Sequence, residues 1–148
     1  MQHPGNFPAF LSYIRPVPQH LNGTGNRLME AFERTGRKAD IDRAILACEE
    51  AVQATPAEHP KHAAYVADYG QALLVGYRLS GNLDDAHRAI SMLERSISLA
   101  AENDIDLSRR MCILGDAFES RFDRADDLAD LENAISNISN FATRLIHT

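Results

Sequence analysis

Tyr65, Val66, Tyr69, Leu73, Leu74 and Tyr77 recur at steps of three and four residues, and so do Ala86, Ala89, Ile90, Leu93 and Ile97. That period belongs to one buried face of a helix, so each run predicts an amphipathic helix. Ser80-Gly81-Asn82 lies between them and supplies a stop, because glycine takes at little cost the left-handed conformation that ends helices. Asp84 and Asp85 then place negative charge at the positive end of the following helix. Thr35-Gly36 and Ala125-Asp126-Asp127 occupy the same place elsewhere in the chain. Longer connections run from Thr55 to Pro60, with prolines at 56 and 60, and from Glu102 to Asp106. The pattern predicts six helices, at about 19–34, 39–54, 61–79, 83–100, 106–124 and 128–145, and no strand.

The pattern also repeats. A shift of 45 positions aligns Gly25, Gly70 and Gly115, then Asp40, Asp85 and Asp130, then Ala44-Ile45, Ala89-Ile90 and Ala134-Ile135. Apolar character persists in Leu28/Leu73/Phe118, Phe32/Tyr77/Phe122 and Ile41/Ala86/Leu131. Each copy holds two helices. A lone pair cannot bury its apolar stripe, whereas stacked neighbours bury it jointly, and about three repeats are the minimum for stability. Glycine inside a helix costs roughly 0.5–1 kcal/mol against alanine. Its recurrence therefore predicts a neighbouring helix too close for a side chain, and the alanine column reads the same way.

Ahead of the repeats, Pro4, Pro8, Pro16 and Pro18 make residues 1–18 an extended or turn-like arm. Its Phe7, Phe10, Leu11 and Ile14 either pack onto the first helices or serve as a partner-binding or swapped segment. The helical repeat domain is expected to span 19–148, in copies of about 19–60, 61–105 and 106–148. No run of roughly 18 apolar residues is present, so no membrane span is expected. Fifteen basic against twenty-one acidic residues, a net charge of −6, leave no basic footprint for nucleic acid or an anionic membrane. Two cysteines among 148 residues do not read as a disulfide framework, and a reducing, cytoplasmic setting is expected.

The run Tyr69-Gly70-Gln71-Ala72-Leu73, then Gly81-Asn82-Leu83-Asp84-Asp85, then Ala89-Ile90 and Leu93, resembles the tetratricopeptide repeat (TPR). That family has a Leu-Gly pair and an aromatic in the first helix of each pair, a Gly-Asp turn and an alanine-led second helix. Leu114-Gly115-Asp116-Ala117-Phe118 matches the first-helix part best. The resemblance covers about residues 20–145, with a period of 45 against the family's usual 34 or so, as if both helices were lengthened by about a turn. Thr55-Pro56, His59-Pro60, Gly70 and Gly81-Asn82-Leu83 look like the long arrays that accompany CHAT-type peptidase or nucleotide-binding switch domains in fungal and bacterial multidomain proteins. HEAT repeats share the period, but the glycine–turn–alanine spacing favours TPR.

The resemblance implies an all-α, right-handed α-solenoid of three antiparallel helix pairs whose first helices line a groove for a partner's peptide or helix. Counted from the glycine column, the groove positions are Asn22, Asn26, Met29 and Glu30 in the first copy and Ala67, Gln71, Leu74 and Val75 in the second. The third copy gives Arg109, Cys112, Asp116 and Glu119, with Arg78 and Arg109 adding positive charge. Asn26, Gln71 and Asp116 share a column and would form a polar row. The lysines that clamp a chaperone's terminal carboxylate in that family are replaced by Gln19 and Asn22, so a partly basic or amphipathic segment is the expected ligand.

Catalytic signatures are sparse. The chain has no Gly-rich phosphate loop, His-Glu-x-x-His or Cys-x-x-Cys. Cys48 aligns with Leu93 and Ile138, as a buried apolar surrogate would, while Cys112 falls in the groove column. His59 and His62 are three apart, but Pro60 breaks the helix that would align them as metal ligands, so a capping or solvated role is expected. His87 is expected on the surface. Asp123, Asp126, Asp127 and Asp130 lack the glycine and terminal glutamate of a calcium loop and read as caps and repeat positions. Asn22-Gly23-Thr24 and Asn137-Ile138-Ser139 are glycosylation sequons, meaningful only in a secreted protein.

In the last helix, Asn133, Ser136, Asn137, Ser139 and Asn140 form either a polar cap or a face for a further repeat or a second copy of the chain. Phe141, Leu145 and Ile146 point toward association, which would make a homodimer through the end helices. The expected function is a non-catalytic protein-interaction scaffold without cofactor or metal. The alternatives are a regulatory repeat fragment contacting a peptidase or nucleotide-binding switch domain, and a small enzyme using Cys112 or the His59/His62 pair.

Overall fold

Pro18 occupies the first helical position after Val17, where its missing N–H costs nothing and its fixed φ suits the helix. From there a computed structural model describes residues 17–125 and 128–146 as six helices. They are α1 (Pro18–Thr35), α2 (Lys38–Ala54), α3 (His62–Ser80), α4 (Leu83–Leu99), α5 (Leu107–Ala125) and α6 (Leu128–Ile146). Every boundary falls within one residue of the position expected from the periodicity, and there is no strand among the described residues. The expected packing of Phe7, Phe10, Leu11 and Ile14 lies outside the described residues.

The two short turns among the described residues share one design. Gly36 and Gly81 sit at φ 67° and 72°, and each N–H closes the preceding helix with a 2.7 Å bond, to the carbonyls of Phe32 and Tyr77. A hydroxyl one residue earlier then bridges the turn. The Arg37 N–H donates to Thr35 Oγ1 (3.3 Å), which lies 3.1 Å from Asp40 Oδ2. The Asn82 N–H donates to Ser80 Oγ (3.1 Å), which lies 3.4 Å from Asp85 Oδ2. The recurring aspartate is thus the anchor of the turn as well as a favourable charge at a helix start. Asn82 caps α4 by accepting from the Asp84 N–H at 2.9 Å. Asp126 and Asp127 and the side chain of Asp130 lie outside the described residues.

Each helix packs on the next in chain order, and α1 also meets α3, which in turn meets α5. α3 carries the core: Leu73 and Tyr77 are at most 1% exposed and cluster with Leu93, Leu114 and Phe118 from its neighbours, and Val66 is fully buried as well. Two of the three repeated glycines face a paired helix that leaves no room for a side chain. A methyl group on Gly70 would come within 2.9 Å of Leu93 Cγ and 3.3 Å of the Ala89 carbonyl oxygen. On Gly25 it would run into Cys48 Sγ. At Gly115 the nearest atoms, Asn137 Nδ2 and Ile138 Cγ1, are 3.7 and 3.9 Å away, so the third pair is less tightly closed. Ala44, Ala89 and Ala134 are 0, 0 and 5% exposed, as the column predicts.

The last helix has an uncovered face. Ile135 and Ile138 are 57% and 61% exposed, although Cys48 and Leu93, the counterparts of Ile138, are fully buried. No helix among the described residues is long and apolar enough to cross a membrane.

Candidate functional site

α1, α3 and α5 bring polar side chains together around one carboxylate, that of Asp68 in α3. Asn22 and Asn26 stand one turn apart on α1 and aim their amides at the same oxygen, Asp68 Oδ2, at 3.0 and 3.3 Å. The Asn26 amide also lies 3.3 Å from Asn22 Oδ1. From α5, Arg109 reaches Asp68 Oδ1 at 3.9 Å through Nη2 and donates to Gln71 Oε1 at 3.4 Å through Nη1. Asn22 is buried, Asp68 is largely covered with 16% of its side chain exposed, and the Arg109 side chain is half in solvent.

Beside this cluster opens a cavity of about 480 Å³, lined by Asn26, Met29, Glu30, Glu33, Asp68, Gln71 and Arg109. Six of the expected groove residues therefore fall together: Asn22, Asn26, Met29, Glu30, Gln71 and Arg109. Ala67 and Leu74 were expected on the groove wall, but they are 2% and 3% exposed, and Leu74 belongs to the core. Their corrected role is packing, because α3 has neighbours on both sides. Val75 is half-buried. Cys112, Asp116 and Glu119 are exposed on α5 outside this cavity, so Asp116 does not join Asn26 and Gln71 around it. Arg78 is exposed and its Nε donates to Ser120 Oγ at 3.2 Å.

Asp68 itself was missed, because its repeat column holds Gly23 and Ile113 and shows no pattern. A signal was present, however. Asp68 is the lone formally charged residue between Ala63 and Tyr77. A carboxylate in so apolar a run must find partners or solvent.

Of the reactive groups considered from sequence, Cys48, His59 and His62 are engaged within the fold. Cys48 is fully buried, and burial first, then the nearby charge of Asp68, pushes its thiol up to about 12. Such a thiol is not a nucleophile near neutral pH. Cys112 is exposed. His59 is exposed, and its Nδ1 accepts from the Lys61 N–H at 3.0 Å in the turn ahead of α3. His62 is 4% exposed instead of solvated. Its Nδ1 lies 3.1 Å from the Thr55 carbonyl and its Nε2 lies 3.2 Å from Arg95 Nη2, so the ring donates at the first nitrogen and accepts at the second. It ties the start of α3 both to the end of α2 and to α4. His87 is exposed and contacts Arg121 at 2.8 Å. Burial raises the Tyr69 hydroxyl above its ordinary range; Arg88, which works in the opposite direction, hydrogen-bonds that hydroxyl and lies 5.7 Å from the ring centroid.

A wider cleft of about 670 Å³ runs among α4, α5 and α6, with Glu94, Ile97, Met111, Leu114, Asn137 and Arg144 on its walls. The Asn137 amide donates to the Met111 carbonyl across it. Both sequon asparagines thus have their side-chain nitrogens engaged within the fold, Asn22 with Asp68 and Asn137 with Met111. Comparison of the chain with protein-family models, with curated proteins and with solved structures found no match.

Proposed function

We propose that the chain is a non-catalytic protein-interaction module, a TPR-like solenoid of three long helix pairs whose groove along α1, α3 and α5 takes a segment of a partner protein. The resemblance rests on the motif residues of the second and third copies. The carrying observation is the convergence of Asn22 and Asn26, Asp68 and Gln71, and Arg109, from three separate helices, beside one open cavity. Side chains fixed on helices form a pre-ordered surface, and a partner that meets such a surface loses less conformational freedom of the binder on docking. The lining offers amides and carboxylates for hydrogen bonds and Met29 for apolar contact, a mixture suited to an extended or amphipathic segment.

The test is a photocrosslinking amino acid at Gln71, compared with one at Arg43, an exposed α2 residue. Partner peptides should be recovered by mass spectrometry from the Gln71 position and not from Arg43. Equal recovery from both positions, or recovery from Arg43 alone, would overturn the reading.

A further inference from the structure

We infer that Asp68 anchors a basic side chain of the partner segment, and that Arg109 occupies that anchor in the free protein as a built-in competitor; the inference rests on the groove reading above. The two oxygens of Asp68 are unequal. Oδ2 receives both asparagine amides, which fixes the carboxylate's orientation. Oδ1 faces Arg109 at 3.9 Å, well beyond the roughly 2.7–2.9 Å of a charge-assisted hydrogen bond. An ionised carboxylate accepts about four hydrogen bonds, so Oδ1 keeps capacity for a closer donor.

Arg109 is placed to give way. Half of its side chain is in solvent, and its other contact, to Gln71 at 3.4 Å, is also long. A long, half-exposed ion pair is held weakly. Swinging the guanidinium outward needs no backbone movement and uncovers Asp68 from the cavity side.

The cavity favours a cation in its place. Its charged lining is Glu30, Glu33 and Asp68 against Arg109, so displacing Arg109 leaves three carboxylates facing the space. Met29 offers a polarisable surface for the aliphatic stem of an arginine or lysine. The volume, about 480 Å³, lies within the roughly 300–1,000 Å³ of ordinary ligand sites. A partner with an acidic segment would instead meet those three carboxylates and be repelled.

The experiment uses the whole chain and a fluorescein-labelled nonapeptide with three arginines spaced by leucine and glycine, with binding read by fluorescence anisotropy. Replacing arginine by the neutral isostere citrulline should weaken binding at least tenfold. Asp68→Asn, which keeps an oxygen for the two amides, should do the same, whereas Glu50→Gln on exposed α2 should leave affinity within twofold. Arg109→Gln should tighten binding at least threefold, and Arg43→Gln, the same charge change away from the groove, should not. Far-UV circular dichroism confirms that each variant is folded. Tightening by Arg43→Gln equal to that by Arg109→Gln, weakening by Arg109→Gln, or an unchanged affinity in Asp68→Asn would each overturn the inference. A peptide that still crosslinks at Gln71 under those outcomes leaves the groove intact as a binding surface. A peptide that crosslinks only at Arg43 removes both.

Discussion

Cys48 Sγ lies where a side chain on Gly25 would have to go. The repeat's glycine and its partner in the second helix, Gly25 with Cys48 and Gly70 with Leu93, are complementary halves of one close approach. Gly115 and Ile138 share the columns without the closeness. Gly25→Ala should therefore destabilise the fold by about 1–3 kcal/mol, the usual cost of overpacking. Gly115→Ala meets only ordinary contacts and should stabilise by up to about 1 kcal/mol, through helix propensity. Urea melts of the two variants should shift their midpoints in opposite directions.

Thiol chemistry should separate the two cysteines. Cys112 is exposed and Cys48 is buried, with its thiol pushed from an ordinary value of 9.0 up to about 12. A thiol reagent at pH of about 8 should titrate one cysteine promptly in the native protein and the second only after denaturation. The same shift couples to stability. Between pH 9 and 12 the unfolded chain loses the Cys48 proton while the folded chain keeps it, so the unfolded state binds fewer protons and stability falls as pH rises through that window. Below it the contribution is fully present. Cys48→Ala should lower stability at neutral pH by leaving a cavity, and should flatten the alkaline slope.

The helices were legible because a period near 3.6 runs through each of them and the chain marks its stops, with a glycine and a following aspartate at Gly36–Asp40 and Gly81–Asp85, and with prolines between Thr55 and Pro60. The Asp68 cluster was not, since nothing in linear sequence tells a carboxylate that meets two asparagines from one that meets water. Asn22 and Asn26 were found through the glycine register, and Gln71 and Arg109 with them. Ala67 and Leu74 were carried along by the same register, which marks a face of the helix and is blind to how deeply α3 sits between α1 and α5. His62 was misjudged for a similar reason. It is buried, and one of its partners, Arg95, lies 33 positions away and reaches across from α4.

Gly36 gives a test of the turn alone. A methyl group there would meet nothing within 4 Å, so any cost of Gly36→Ala is the cost of its backbone at φ 67°. That should amount to about 1–2 kcal/mol for an L-residue in the left-handed region. Gly36→Asn should recover part of it, because asparagine tolerates this conformation better than alanine does. Thermal melts of the two variants check the order glycine, asparagine, alanine.

Leu93 and Ile138 occupy the same repeat column, and their burial differs completely, 0% against 61% exposed. The difference follows from the order of packing. α4 is followed by α5, which packs against it, whereas no described helix follows α6. Leu93→Ala should cost about 2–5 kcal/mol through lost burial and a cavity. Ile138→Ala removes a side chain that is mostly in water already and should stay within about 0.5 kcal/mol. Hydrogen exchange should follow the same gradient. Backbone amides of α3 and α4, held between neighbours, should exchange only on global unfolding, and those of α6 should open at a lower free energy. If Ile138→Ala proved as costly as Leu93→Ala, the open face of α6 would have to be covered in solution.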